Sequence, residues 1–292
     1  MASISQWVSG ARVRTLPLAV SPVVLGTAVA NNVDQLNLAI AFLALMVSLF
    51  LQLGVNYSND YSDGVRGTDE FRVGPARLTG SGTVEPPKVL RVAVVFFALA
   101  AASGAAIIVV TQQWWLVIVG LLAILAAWYY TGGRNPYGYA GLGELSVFIF
   151  FGPVATLGTS YVQTLSFQDD ALIGGIGLGS FAAAVLVANN IRDIETDRQA
   201  KKRTLAVMMG SKASKSLYLF LIWLPMIITL PYVLAYPVTI LAWLVLLLVI
   251  PLSLLVPTAK TAKELITGLK LTSYASVAWA VSMSIGISFI SF

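Results

Sequence analysis

Neither cysteine nor histidine occurs in the 292 residues, and only 11% of them are charged. These absences remove whole classes of chemistry. Zinc sites, thiol nucleophiles, disulfides and imidazole acid–base catalysis are excluded. Any metal must be a hard cation held by oxygen. A soluble domain carries roughly 25% charged residues. Here the deficit is matched by 58% hydrophobic residues and a mean hydropathy of +0.83, a composition suited to lipid as solvent. No polar stretch is long enough to separate a second domain, so 1–292 is expected to form a single transmembrane domain.

About 20 apolar residues cross a bilayer. Nine such segments can be read, at 14–31, 36–57, 89–110, 114–131, 143–163, 171–190, 213–233, 237–256 and 271–291. The expected fold class is all-α, a polytopic bundle of nine transmembrane helices with cytoplasmic loops capping a site at one rim. Ahead of it, Ile4, Trp7, Val8 and Ala11 recur at helical spacing, the pattern of a short amphipathic helix on the membrane surface rather than a signal peptide.

The 18 Lys and Arg residues are confined to Arg12, Arg14, 66–91, Arg134, 192–215 and 260–270. These are the N-terminal flank and the loops after spans two, four, six and eight; the alternate connections hold none. By the positive-inside rule the basic face is cytoplasmic. The chain then reads as a multi-pass membrane protein, N-terminus inside and Phe292 outside. No ionisable residue sits at the centre of a span, which argues against ion-coupled transport. A cation transporter with a ring of carboxylates at its mouth is the reading left from another class. The lipid bilayer is a partner, and no nucleic acid is expected.

The acidic residues concentrate at the same rim. Span two runs into Asn56, Asn59, Asp60, Asp63 and, beyond Gly64 and Gly67, Asp69; span six runs into Asn189, Asn190, Asp193 and Asp197. Residues three and four apart share a helix face, which groups Asn56, Asp60 and Asp63, and likewise Asn189, Asp193 and Asp197. Like charges so placed repel unless a cation neutralises them, and Mg²⁺ takes one or two carboxylates per site with substrate phosphates completing its shell. Arg72, Arg77 and Lys88 follow the first cluster, and Arg198, Lys201, Lys202 and Arg203 follow the second, suited to phosphate oxygens.

With these motifs the chain resembles the UbiA superfamily of intramembrane aromatic prenyltransferases over essentially its whole length. That family pairs Asn-Asp-x-x-Asp after the second span with Asp-x-x-x-Asp after the sixth, in a nine-helix bundle. Arg14-Thr-Leu-Pro17, Asn59-Asp60-Tyr-Ser-Asp63, Arg72-Val-Gly-Pro75-Ala-Arg77-Leu, Asn189-Asn190-Ile-Arg192-Asp193 and Lys202-Arg203-Thr-Leu-Ala-Val207 resemble most the branch acting on 1,4-dihydroxy-2-naphthoate in menaquinone biosynthesis. One departure is Gly67, where the general motif has a third Asp; Asp69 is the nearest substitute.

The resemblance implies that Asp60, Asp63, Asp193 and Asp197 are catalytic and hold Mg²⁺ on a polyprenyl diphosphate. Arg77 and Arg203, with Arg134, would stabilise the leaving group, and Asn59, Asp69, Arg72, Asn189 and Lys202 would add to the substrate site. Tyr130, with Tyr129 and Tyr137, would face an allylic cation. Arg14 would orient the carboxylate of the aromatic acid acceptor, 1,4-dihydroxy-2-naphthoate. Loss of CO₂ and diphosphate would give demethylmenaquinol. Transfer to 4-hydroxybenzoate or homogentisate is the alternative within the fold. Asp69, off the shared helix face, is expected to matter less than Asp63.

Overall fold

A computed structural model describes residues 3–69, 74 and 77–289, and the elements assigned in them are helices and turns. The helices are α1 (Ile4–Gly10), α2 (Pro17–Asn32), α3 (Leu38–Val65), α4 (Pro86–Thr111), α5 (Leu116–Tyr129), α6 (Gly143–Ile149), α7 (Ala155–Thr164), α8 (Asp169–Arg192), α9 (Ile194–Gln199), α10 (Leu205–Ala235), α11 (Leu246–Thr258) and α12 (Ala262–Ser288). Their starts are written in the sequence. Pro17 and Pro86 occupy first turns, where a missing N–H costs nothing. Asn37 accepts from the N–H groups of Ala39 and Ile40, and Thr261 with Glu264 closes a capping box on α12.

The bundle is organised around α8, the most enclosed span. Glycines on it let neighbouring backbone approach: a Cβ on Gly179 would lie 2.4 Å from the Phe148 carbonyl oxygen. Facing it, Phe150–Val154 widens into one π-helical turn around Pro153, joining α6 to α7 as one span. On the other side α8 packs against α10 and α12, where Phe181, Tyr218 and Trp279 are fully buried. The opposite flank is thinner: α5 touches α3 and α4 and buries none of its residues.

Among the described residues, six helices are long and apolar enough to cross a membrane, or seven if the bent pair Ile4–Thr15 and Pro17–Asn32 counts as one. In their described residues the nine expected segments fall largely on helical structure, but not all with the expected length. The 114–131 segment shortens to the 14 residues of α5, about 21 Å of helix. The 237–256 segment begins as a 3-10 turn over Pro237–Val245. Phe292 lies outside the described residues.

Candidate functional site

The first cluster occupies the last turns of α3, where Asn56, Asn59, Asp60 and Asp63 are all buried. Beyond α3 the chain turns back at once. Thr68 donates to the Asp63 carbonyl oxygen through its N–H (3.1 Å) and its hydroxyl (3.0 Å), a closure that needs the positive φ of Gly67. This brings Asp69 home: it is 9% exposed, against Gly80, where a Cβ would meet the Asp69 Cβ at 2.6 Å. The Nε of Arg77 is 4.0 Å from an Asp69 oxygen, and its buried Nη1 has no partner among the described residues.

Asp60 has partners that helical spacing does not predict. It is fully buried, and its two oxygens accept the backbone N–H groups of Leu78 (2.9 Å) and Thr79 (2.8 Å). Both oxygens therefore anchor the loop, and Asp60 lies outside the cleft that the other carboxylates line. The reason is topological: the loop returns over the face of α3 that carries Asp60. Helical spacing alone cannot register that return.

The second cluster also differs from one continuous helix face. α8 ends at Arg192 and α9 begins after Asp193 (φ −100°, ψ 9°). Arg192 grips its neighbour, donating to both Asp193 oxygens at 2.7 and 2.5 Å, and reaches Asn189 Oδ1 at 2.9 Å. One turn on, Asp197 accepts from the Thr204 hydroxyl at 3.4 Å and lies 3.9 Å from Lys202 Nζ. Burial, with Asp193 and Asp63 adding negative charge, pushes the Asp197 carboxyl up to about 6, against the opposing pull of Lys202.

The two clusters meet. Asp63, Asp69, Asp193 and Asp197 line one small cleft with Thr68, Thr196 and Lys202. Tyr139, from the α5–α6 connection, bridges its walls: the hydroxyl donates to Asp63 Oδ1 at 2.6 Å, and Lys202 Nζ sits 5.0 Å from the ring centre. Burial and the adjacent Asp63 hold that phenol up, so it remains a donor. Among the described residues no three carboxylates close around a single ion in this arrangement. The donor set still fits Mg²⁺ chemistry: four carboxylates on one cleft offer hard oxygen atoms and would leave coordination positions for phosphate.

Inward from the cleft lies a cavity of about 510 Å³, walled by apolar residues of α3 to α7 with Arg12, Arg14, Asn59, Tyr130 and Asn189 among the polar lining. Tyr130 meets Tyr137 edge-on at 5.6 Å, whereas Tyr129 is exposed and Tyr137 donates to the Ala126 carbonyl oxygen. Arg134 and Arg203 are exposed at the rim; Arg72 lies outside the described residues. Tyr139 and Glu144 were not among the expected site residues. Glu144 is buried and accepts from Asn190 at 2.9 Å; a lone acid opening an apolar span was the available signal.

The UbiA prenyltransferase family model matches residues 19–264. Over 289 residues the chain is 45% identical to a 1,4-dihydroxy-2-naphthoate octaprenyltransferase of Mycobacterium tuberculosis, covering 99% of each. It is 34% identical to the Escherichia coli protein of the same name, over 70% of this chain and 68% of the other. Among solved structures, a UbiA homolog from Aeropyrum pernix superposes with a TM-score of 0.69 at 16% identity, covering 90% of this chain and 96% of that one. One from Archaeoglobus fulgidus bound to GPP and Mg²⁺ gives 0.62 at 15% identity over 95% and 99%.

Proposed function

The chain belongs to the UbiA prenyltransferase family, and from that premise we propose that it transfers a polyprenyl chain from polyprenyl diphosphate to 1,4-dihydroxy-2-naphthoate, releasing CO₂ and diphosphate and giving demethylmenaquinol. The observation that carries the acceptor is the 45% identity over 99% of both chains to a protein of that name. The carboxylate cleft at the mouth of an apolar cavity supports the donor.

In this reading Asp63, Asp69, Asp193 and Asp197 hold Mg²⁺, and Asp60 holds the loop that carries Arg77. The metal, when bound, neutralises the diphosphate and makes it a better leaving group. Lys202 and the unpartnered Nη1 of Arg77 add positive charge where the departing oxygen accumulates negative charge. Arg134 and Arg203 extend that field from the rim. The cavity wall takes the prenyl tail and keeps water from the allylic cation, with the Tyr130 ring on its lining as a cation–π partner. Arg14 pairs with the carboxylate of the acceptor, Asn59 and Asn189 on the cavity lining add to the substrate site, and Tyr139 keeps Asp63 turned towards the second cluster. The ring of the acceptor carries two hydroxyls and is electron-rich. The prenyl carbon replaces the carboxylate on the ring: a C–C bond forms there, the C–CO₂⁻ bond breaks with its electron pair returned to the ring, and CO₂ leaves, in either order.

The proposed topology is a single domain with nine crossings of a bacterial cytoplasmic membrane, the aspartate loops inside and the C-terminus outside. The exposed Glu195 is a suitable probe in this cysteine-free chain. Glu195→Cys should react with an impermeant thiol reagent only after permeabilisation; labelling in intact cells reverses the orientation. For the reaction, purified protein is given Mg²⁺, a polyprenyl diphosphate and carboxyl-labelled 1,4-dihydroxy-2-naphthoate, with 4-hydroxybenzoate in parallel. Release of ¹⁴CO₂ with demethylmenaquinol is expected. Preferred prenylation of 4-hydroxybenzoate with its carboxylate retained would overturn the acceptor while sparing the donor site.

A further inference from the structure

Gln52 is a polar side chain on the cavity wall with no part in that reaction scheme. It lies on α3 among apolar neighbours and is 6% exposed. An amide at that depth in a membrane helix is unfavourable unless something answers it. Asn56, Asn59 and Asp63 follow it at i+4, i+7 and i+11 on the same helix face. Eleven residues of helix separate Gln52 from Asp63 by about 16 Å, which puts it in the cavity rather than at the cleft.

Proton bookkeeping fixes which end of the amide is committed. Thr15 has one hydroxyl proton, and it donates to the Arg12 carbonyl oxygen at 2.9 Å. The Thr15 oxygen is left to accept, so it is Gln52 Nε2 that donates to it at 3.0 Å. Gln52 Oε1 remains buried, with no donor among the described residues. Its neighbours on the α3 face are already engaged: Asn56 donates to the Ala11 carbonyl oxygen at 2.9 Å, and Asn59 accepts from Thr131 at 2.7 Å. A buried acceptor without a donor is rare in a folded protein. Gln52, Thr15 and Arg14 line the same cavity. An amide side chain and a guanidinium on the wall of one cavity suit a planar ligand carrying a hydroxyl and an acid, provided the amide turns its enclosed oxygen towards that ligand.

We propose that Gln52 is a specificity-determining residue for the aromatic acceptor, its Oε1 accepting a hydrogen bond from a ring hydroxyl of a hydroxy-aromatic acid. The inference rests on the prenyl-transfer reading given above and deepens it. Gln52 makes and breaks no covalent bond; it orients the ring. An acceptor with that hydroxyl blocked leaves Oε1 unanswered in the complex, the situation in which a hydrogen-bonding site discriminates most strongly.

The test is a cycle between residue and ligand. Wild type, Gln52→Met and Gln52→Leu are assayed on 1,4-dihydroxy-2-naphthoate and on its two mono-methyl ethers, with Tm measured for each protein. The variants should raise the acceptor KM about tenfold or more and leave the polyprenyl diphosphate KM within about twofold. They should also lose the wild-type preference for the free diol over one of the two ethers, a coupling that a packing defect does not produce. An unchanged acceptor KM overturns the proposal. So does a KM raised by the same factor for the diol and both ethers, which marks a purely structural role. If wild-type protein prenylates no hydroxy-aromatic acid, the prenyl-transfer reading falls first and this inference with it.

Discussion

Asp63 and Asp193 each close an Asn-x-x-x-Asp run where a helix reaches the rim, yet the two clusters are held in different ways. The first keeps its helix through Asp63 and then folds the loop back, so that Asp60 binds loop amides and Asp69 arrives from outside the helix. The second breaks at Asp193, and its carboxylate is gripped by the adjacent Arg192. Equivalent spacing thus yields unequal duties: the last turns of α3 supply one carboxylate to the cleft and one loop anchor, while α8 and α9 supply two carboxylates to the cleft and an internal cation.

The sharpest way to break this comparison is within the cleft. Asp63→Asn and Asp197→Asn should each lower kcat/KM by about a thousandfold or more, since each removes a charge from a site built on pairs. Tm should stay near wild type, measured in detergent by fluorescence-monitored unfolding. Asp69→Asn should fall in the same range, because Asp69 lines the cleft despite its position beyond Gly67. A loss below about tenfold for Asp69 would return the first cluster to its helix.

Asp60→Asn should separate from those three by its stability cost. An amide there presents its own N–H groups to those of Leu78 or Thr79, and a buried donor left unsatisfied costs about 1–3 kcal/mol. Tm should therefore fall together with activity, and Mg²⁺ half-saturation should move less than in Asp63→Asn. A Tm equal to wild type would show that Asp60 does not anchor the loop.

The smallest effect is electrostatic. The Asp197 carboxyl, raised to about 6 in the metal-free fold, binds a proton more tightly folded than unfolded. The stability it contributes is full at low pH and is lost as pH rises through about 6. The same proton competes with the cation, so the Mg²⁺ half-saturation should rise as pH falls below that value. Asp197→Asn should remove that pH dependence of Tm, and an unchanged dependence would place the titration elsewhere.

The helices, the basic rim and the gathering of aspartates there were legible in the sequence, because apolar length, Lys and Arg placement and three-to-four spacing are local signals. The distribution of duties among the carboxylates was not. It depends on where the loop after α3 lands, which is decided by Gly67 at its turn and Gly80 under Asp69. Tyr139 was hidden for a similar reason: a loop tyrosine among several carries no mark of the Asp63 it will meet. Gln52 and Glu144 did carry a mark, each a polar residue in an apolar run, but neither lies in a recognisable spacing. The short α5 was not legible because the aromatic residues flanking it, Trp114 and Trp115 before and Tyr130 after, extend the nonpolar run past both helical ends.

That shortness reaches into the surrounding lipid. The proposed topology makes α5 a full crossing, yet about 21 Å of helix faces a hydrocarbon layer of roughly 30 Å. Beside α5 the bilayer must thin, or flanking residues must reach for the headgroups, and either strain grows with acyl-chain length. Because α5 also walls the cavity without burying a residue of its own, the protein gives little resistance to that deformation. The thickness of the host membrane then becomes a term in how wide the chamber stands. Turnover should depend on the carbon number of the lipids used for reconstitution, as it would not for a site enclosed on all sides by packed helices.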